Sequence, residues 1–443
     1  MTNEGWATLI LIASFIGLVS QNVPIAFSIG ISTLLASFFI YPMDLAFFQV
    51  AKDMWHGIDS FALLAIPMFV LSGLLMGKGG IARRLIDFAQ VLVGRLVGGL
   101  CYANVLACML FGAVSGSATA ATSSIGAFMI PEMVRDGYKR DFSTALTLSA
   151  ATLGLVIPPS NVMIIYAVAW GEAGGQTVNV AAMFMGGFLP GIIIGLSLMA
   201  VAGWFALKEK RKPLGWVGAS EAFTRFRRAF LSMLLLIIVL GGILSGFFTA
   251  TEASAVAVIY SFILAVIVYR QVGWKDLLKI LHTAAITTAF IFLLIATSKA
   301  MGNLMVRLSI PQNVSALLLS MTSNPLLLLM IINAGLLFVG TFMDMTPAVL
   351  IFTPILSGVV VSTLGMHPIH FGLIMIVNLC IGLCTPPVGT VLFVGCGVGG
   401  TTITKLIRPM LPFYAAMVIA LMIITYLPEE WILWLPRIVS PKI

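Results

Sequence analysis

Two pairs of adjacent prolines interrupt apolar stretches of this 443-residue chain, in Ile157-Pro158-Pro159-Ser160-Asn161 and in Thr385-Pro386-Pro387-Val388-Gly389-Thr390. A double proline removes two amide donors and clashes with the preceding turn, so a helix must break there. In a bilayer the break leaves carbonyls before it and amides after it without partners, at a cost that a ligand or buried protein has to offset. Carbonyls suit a cation, and amides at the start of a half-helix suit an anion. Ser160 and Asn161 at the first break, and Thr385, Gly389 and Thr390 at the second, add small polar groups able to face a cavity.

Two further stretches carry ligand-type oxygens. Ser115, Ser117, Thr119, Thr122, Ser123 and Ser124 crowd together beside Gly112 and Gly116, and Asp344 is the one carboxylate of the apolar stretch around Gly340-Thr341-Phe342-Met343-Asp344-Met345-Thr346-Pro347. Hydroxyl and carbonyl oxygens without an acidic cage match sodium better than calcium, and Asp344 suits a sodium ion or a proton. The plainer readings are proline kinks and small-residue packing at Gly112 and Gly116. That both features occur twice favours ligand binding.

Enzymatic chemistry is not encoded: GxSxG, phosphate-loop and HExxH patterns are missing, and so is any ATP-driven motif. Cys380 and Cys384 at i, i+4, and His367 and His370 at i, i+3, read as packing and loop residues, so no metal other than sodium and no further cofactor are expected. Glu252, in Thr249-Ala-Thr-Glu-Ala253, reads as a cap, a water-facing residue or a direct participant. Lys299 reads as a snorkelling residue or a participant.

The elements that position these groups follow from composition. The chain is 60% hydrophobic and 9% charged, so most of its surface belongs in a bilayer, and stretches of about 20 apolar residues recur from Trp6 to Leu427. Nothing basic precedes the run Ala7 to Val19, which is therefore kept as a first span and not as a cleaved signal. The net charge of +8 reads as membrane orientation and phospholipid contact, with no nucleic-acid role.

An internal repeat orders the spans. A shift of 229 lays Gly17 on Gly246, Phe61 on Phe290 and Gly73 on Gly302, and a shift of 228 lays Gly112 on Gly340 and Gly154-Leu-Val-Ile-Pro-Pro159 on Gly382-Leu-Cys-Thr-Pro-Pro387. The fold class is thus an all-α integral membrane protein made of two inverted repeats, each with five transmembrane helices and one re-entrant hairpin. The first repeat covers 1–207, with spans near 6–20, 23–40, 60–78 and 184–207, a hairpin at 98–135 and a broken helix at 143–170. A basic linker, 208–228, containing Pro213 and Gly215, leads to the second repeat, 229–443, with a hairpin at 325–362 and a broken helix at 370–398. Segments 44–58, 81–94 and 274–281 read as short interfacial helices or arms.

Five crossings and a hairpin make an odd number, so the second repeat enters upside down. With the amino terminus outside, every Lys and Arg except Lys52, Lys299, Arg307, Arg437 and Lys442 falls in inside loops, 19 of 24.

Together, Gly112-Ala-Val-Ser-Gly-Ser-Ala-Thr-Ala-Ala121, Ile157-Pro-Pro-Ser160, Thr249-Ala-Thr-Glu-Ala253, Gly340-Thr-Phe-Met-Asp-Met-Thr-Pro347 and Thr385-Pro-Pro-Val-Gly389 resemble the large membrane subunit of tripartite ATP-independent periplasmic transporters, over essentially the whole chain. Single motifs recur in other members of the ion transporter superfamily. The resemblance implies a scaffold and a transport domain that moves as an elevator in the bacterial inner membrane, coupled to sodium. It also implies a soluble periplasmic binding protein and a small four-helix membrane subunit, the latter a separate chain because the first repeat starts near Met1. By similarity, sodium would contact Ser115, Ser117 and Thr119 with the Gly154 to Pro158 carbonyls, and Gly340, Asp344 and Thr346 with Thr385 and Pro386. Ser117, Ser160, Asn161, Thr346, Gly389 and Thr390 are the candidate substrate contacts. A stand-alone sodium/dicarboxylate carrier of a related hairpin family is the alternative.

Overall fold

The computed structural model describes residues 3–172, 177–213 and 218–440, and every regular element among them is helical. Gly215 of the basic linker and Lys442 lie outside the described residues.

The first half consists of α1 (Asn3–Ser20), α2 (Ile25–Ser37), α3 (Met43–Ile58), α4 (Ala65–Lys78, entered through a 3-10 turn at Phe61–Leu64), α5 (Ile81–Val93), α6 (Gly99–Ser115), α7 (Ala118–Arg135), α8 (Arg140–Ala151), α9 (Asn161–Glu172) and α10 (Val180–Lys208). The second consists of α11 (Ala219–Leu244), α12 (Ala250–Phe262, extended by a wider turn, Ile263–Val268), α13 (Trp274–Arg307), α14 (Ile310–Met321), α15 (Pro325–Phe342), α16 (Met345–Gly358), α17 (Pro368–Leu383), α18 (Thr390–Gly399), α19 (Ile403–Tyr426) and α20 (Glu429–Val439). Eight helical segments among the described residues are long and apolar enough to cross a bilayer. Outward apolar side chains such as Phe27, Ile31 and Leu35 on α2, or Ile419 and Ile423 on α19, are exposed, as lipid contact requires.

The interior is assembled crosswise. α6 packs on α8 and α15 on α17, while α7 packs on α18 and α16 on α9, so the second arm of each helix pair meets the half-helix that follows the prolines of the other half. Tyr166 on α9 donates to the Pro368 carbonyl at 2.7 Å. Its ring lies against Gly372, where a Cβ would sit 2.2 Å from the ring.

The two halves are not copies. α6 and α7 lie along each other, whereas α15 follows α17 and touches α16 little. Residues 274–281 form no separate arm: they open the unbroken 34-residue α13, about 50 Å long at 1.5 Å per residue. The reason is local. Gly57 in the last turn of α3 and Asp59 and Ser60 after it stop that helix before α4, but the matching stretch Ile286-Thr287-Thr288-Ala289 has no helix stop.

Candidate functional site

At the first tip α6 ends on Gly116, whose φ of +57° glycine adopts without a Cβ penalty. Ser117 then turns extended and caps α7, its Oγ accepting from the Ala120 N–H at 3.3 Å and lying 3.1 Å from Thr119 Oγ1. Ser115 Oγ donates to the Ser117 carbonyl at 3.4 Å. At the second tip Met343 and Asp344 are extended and Asp344 occupies the cap position of α16. Its Oδ1 accepts from Thr390 Oγ1 at 3.4 Å, which ties this tip to the start of α18.

Both broken helices part where the prolines require it. After α8 a 3-10 turn, Thr152–Leu155, leads into an irregular stretch that lasts until Asn161 opens α9, and α17 gives way at Cys384 until Thr390 opens α18. The Pro158–Pro159 and Pro386–Pro387 peptides are cis. Residues 154–160 are buried throughout, whereas Pro387 and Val388 are exposed. Ser160 Oγ and Asn161 Oδ1 are buried without a hydrogen-bond partner among the described residues, an expensive condition for an oxygen that binds nothing. In the second break the Thr341 carbonyl accepts from the Val388 N–H at 3.2 Å and the Gly389 N–H at 3.5 Å, and the Tyr414 hydroxyl donates to the Cys384 carbonyl.

Tip and break are held together by glycine pairs. A Cβ on Gly112 would lie 2.2 Å from Gly154 Cα, and one on Gly382 would lie 2.5 Å from the Gly340 carbonyl carbon. The backbones of the α6 and α15 arms thus touch the broken helices directly, once in each half, with no room for a methyl group.

A single cavity of about 740 Å³ collects both tips and both breaks. Of the candidate sodium ligands, Ser115, Ser117, Thr119, Asp344 and Thr346 line it, and of the candidate substrate contacts, Ser117, Asn161, Thr346 and Thr390 do. Gly154, Pro158, Ser160, Gly340, Thr385, Pro386 and Gly389 do not line it. Gly154 and Gly340 are in the glycine contacts instead, and Gly389, with φ +43°, makes the turn into α18. Among the described residues no three His, Cys, Asp or Glu side chains cluster as metal ligands.

Sequence reasoning missed several participants. Lys78 of α4 and Thr287 and Phe290 of α13 also line the cavity. Buried asparagines lock arms to broken helices: Asn104 donates to Thr147 Oγ1 at 2.7 Å, while Asn378 donates to the Asn333 carbonyl at 2.8 Å and to its Oδ1 at 2.9 Å. An amide inside an apolar span is a readable signal. Glu252 is a cap: Thr249 Oγ1 and the Glu252 carboxylate serve each other's backbone N–H across the first turn of α12. Lys299 lines a small cleft with Ser298 and Asn303. His367 caps α17 through the Ile369 N–H, and His370 Nε2 lies 2.8 Å from the Ile424 carbonyl.

A bilayer-spanning helical bundle with two interrupted helices and two helix-pair tips around one largely apolar cavity that holds a few hydroxyls and one carboxylate is the architecture of a membrane transporter. Residues 12–430 match the family described as tripartite ATP-independent periplasmic transporter, DctM component, and the chain belongs to that family. It is 45% identical to the uncharacterized protein YgiK of Salmonella typhimurium over 98% of both chains. It is 39% identical to the C4-dicarboxylate TRAP transporter large permease protein DctM of Pseudomonas aeruginosa over 90% of this chain and 92% of that one. The fold resembles the crystal structure of the Alcanivorax borkumensis YdaH transporter, with a TM-score of 0.67 at 13% identity over 88% of this chain and 90% of that one. The chain is a multi-pass membrane transporter permease and not an enzyme.

Proposed function

We propose that the chain is the transport-carrying subunit of a sodium-coupled importer of small organic anions, foremost a carboxylate such as a dicarboxylate or a sugar acid. The observation that carries this reading is the convergence of both tips and both proline breaks on one cavity. The half-helix starts at Asn161 and Thr390 direct backbone N–H groups and positive dipole ends towards a bound carboxylate. The oxygens near them suit sodium: Ser115, Ser117, Thr119 and Thr346 line the cavity, and Asp344 brings the one carboxylate among the cavity-lining residues. Sodium bound in this way adds positive charge beside the carboxylate, so ion and substrate bind more tightly together than apart. The C4-dicarboxylate relative supports the substrate class.

The repeats 1–207 and 229–443 are inverted, the amino terminus is periplasmic and the membrane is the bacterial inner membrane; the bias of 19 of 24 basic residues supports this orientation. The unit of α6 to α9 and α15 to α18 moves as an elevator against α4, α12 and α13, of which α12 and α13 each pack on α4. A periplasmic binding protein delivers the substrate and a small four-helix subunit completes the scaffold.

The test is uptake of a labelled dicarboxylate into proteoliposomes holding this chain, the small subunit and the binding protein. Accumulation is expected only with an inward sodium gradient, and full activity on a proton gradient alone overturns the ion. Uptake by this chain alone replaces the tripartite reading with that of a stand-alone sodium/dicarboxylate carrier.

A further inference from the structure

A second and much smaller space, a cleft of about 30 Å³, is lined by Ser298, Lys299, Gly302, Asn303 and Val306 of α13 and closed on its far side by α9 and α16. The five α13 residues recur at helical spacing and form one face. The shift of 229 that lays Gly73 on Gly302 also lays Val70 on Lys299, Leu74 on Asn303 and Gly77 on Val306. Val70, Gly73, Leu74 and Gly77 all line the cavity of about 740 Å³. Four wall positions of the large cavity thus return in the other half as wall positions of the small cleft. What differs is closure: α16 packs closely on α13, whereas α7, the corresponding second arm, touches α4 little. With the halves inverted, the cavity opens beside Lys78 towards the cytoplasm and the cleft lies towards the periplasm.

The two walls differ in chemistry. Where α4 carries Phe69, Val70 and Leu74, α13 carries Ser298, Lys299 and Asn303: a hydroxyl, an ammonium and an amide, each able to donate to a carboxylate. Ser298 is 2% exposed, and its Oγ has no hydrogen-bond partner among the described residues, which costs free energy while the cleft is shut. A space of this size admits water and excludes a carboxylate. A Cβ on Gly302 would meet Pro354 Cγ at 3.9 Å, an ordinary contact, so at this point α13 and α16 rest on each other without interlocking.

We propose that the cleft is the shut periplasmic entrance of the substrate path, and that Lys299, Asn303 and Ser298 receive the carboxylate there once α16 parts from α13. The inference rests on the functional reading above and adds to it the residues of the second face. Lys299 supplies the charge, and Asn303 and Ser298 fix the carboxylate oxygens. The corresponding positions of α4 are apolar, so the cytoplasmic face holds the departing anion less tightly.

The test has two parts. Ser298→Cys, combined with Cys396→Ala, needs no substrate: it is expected to react with a membrane-impermeant maleimide offered from the periplasmic side. Silence there, or reaction from the cytoplasmic side alone, overturns the entrance. In proteoliposomes holding this chain, the small subunit and the binding protein, Lys299→Gln is expected to raise the half-saturation for labelled dicarboxylate uptake about tenfold, and Asn303→Leu about threefold. Unfolding midpoints, and the half-saturation of counterflow from the cytoplasmic face, are expected to stay at parental values, and Lys299→Arg to restore uptake. An unshifted uptake curve in Lys299→Gln, or equal shifts on both faces, overturns the proposal. Should Lys299→Gln not fold, Asn303→Leu carries the same decision. Failure of the parent protein to accumulate substrate on a sodium gradient sinks the functional reading instead, whatever Ser298→Cys shows.

Discussion

The Cys380 thiol donates to the Thr152 carbonyl at 3.5 Å, and the two residues are 228 positions apart, the displacement that lays Gly112 on Gly340 and Gly154 on Gly382. Matching positions of the two halves therefore touch, just before the two proline breaks. One turn on, Cys384 Sγ meets the Leu148 carbonyl at 3.6 Å. A small, polarisable thiol fits this crossing and a branched chain does not. Cys380→Leu is expected to cost about 1–3 kcal/mol by overpacking, with Cys380→Ala less harmful, as read from thermal unfolding in detergent. A leucine variant as stable as the parent sinks this picture of the crossing.

The glycine contacts give a sharper result. In Gly112→Ala and Gly382→Ala the new methyl meets backbone at 2.2 Å and 2.5 Å, and backbone cannot rotate away. Each variant is expected to lose about 3 kcal/mol or more. Gly335→Ala, on α15 with open space around it, is expected to be neutral or slightly stabilising through helix propensity. Unfolding midpoints of the three variants decide the matter, and indistinguishable values refute the contact.

These contacts also mark what could be read from the chain and what could not. The prolines at 158, 159, 386 and 387 act on their own helix, so the breaks were legible, and the isolated Asp344 announced a half-buried ionisable group. Gly112 meeting Gly154 was not, because the partner of a close approach is chosen by tertiary packing 42 residues away. The fusion that makes α13 depends on what Ile286-Thr287-Thr288-Ala289 lacks, which a search for repeated features passes over. Which oxygens face the cavity was equally out of reach: Ser117 and Ser160 were both candidate substrate hydroxyls, but only Ser117 lines it. Thr249 and Glu252, by contrast, carry the spacing of a capping box.

That capping box yields a separation of roles. Thr249→Ala or Glu252→Ala removes one of two reciprocal hydrogen bonds and is expected to lower stability by about 1 kcal/mol. Sodium and substrate half-saturation should stay at parental values in proteoliposome uptake. A loss of sodium dependence in Glu252→Ala moves this carboxylate from the cap to the ion path.

Asp344 is expected to behave in the opposite way. Its contact with a cation is charge-assisted, so Asp344→Asn removes about 1.5–3 kcal/mol of ion binding, roughly tenfold or more in sodium half-saturation. Thr390→Ala, which deletes the hydroxyl 3.4 Å from Asp344 Oδ1, is expected to raise it only a few-fold, and Thr390→Ser to restore it. Sodium titrations of uptake provide the readout, and an unshifted Asp344→Asn curve removes this carboxylate from the ion site.

Orientation is open to direct measurement at Thr119. This side chain is exposed and lines the cavity together with Lys78, which belongs to the basic face assigned to the cytoplasm. A cysteine at 119 should therefore react with a membrane-impermeant maleimide offered from the cytoplasmic side. Of the native thiols, Cys101, Cys108, Cys380 and Cys384 are buried and stay silent while the protein is folded, and Cys396→Ala removes the fifth. Reaction from the periplasmic side alone would place the basic loops, and with them both repeats, on the wrong faces of the membrane.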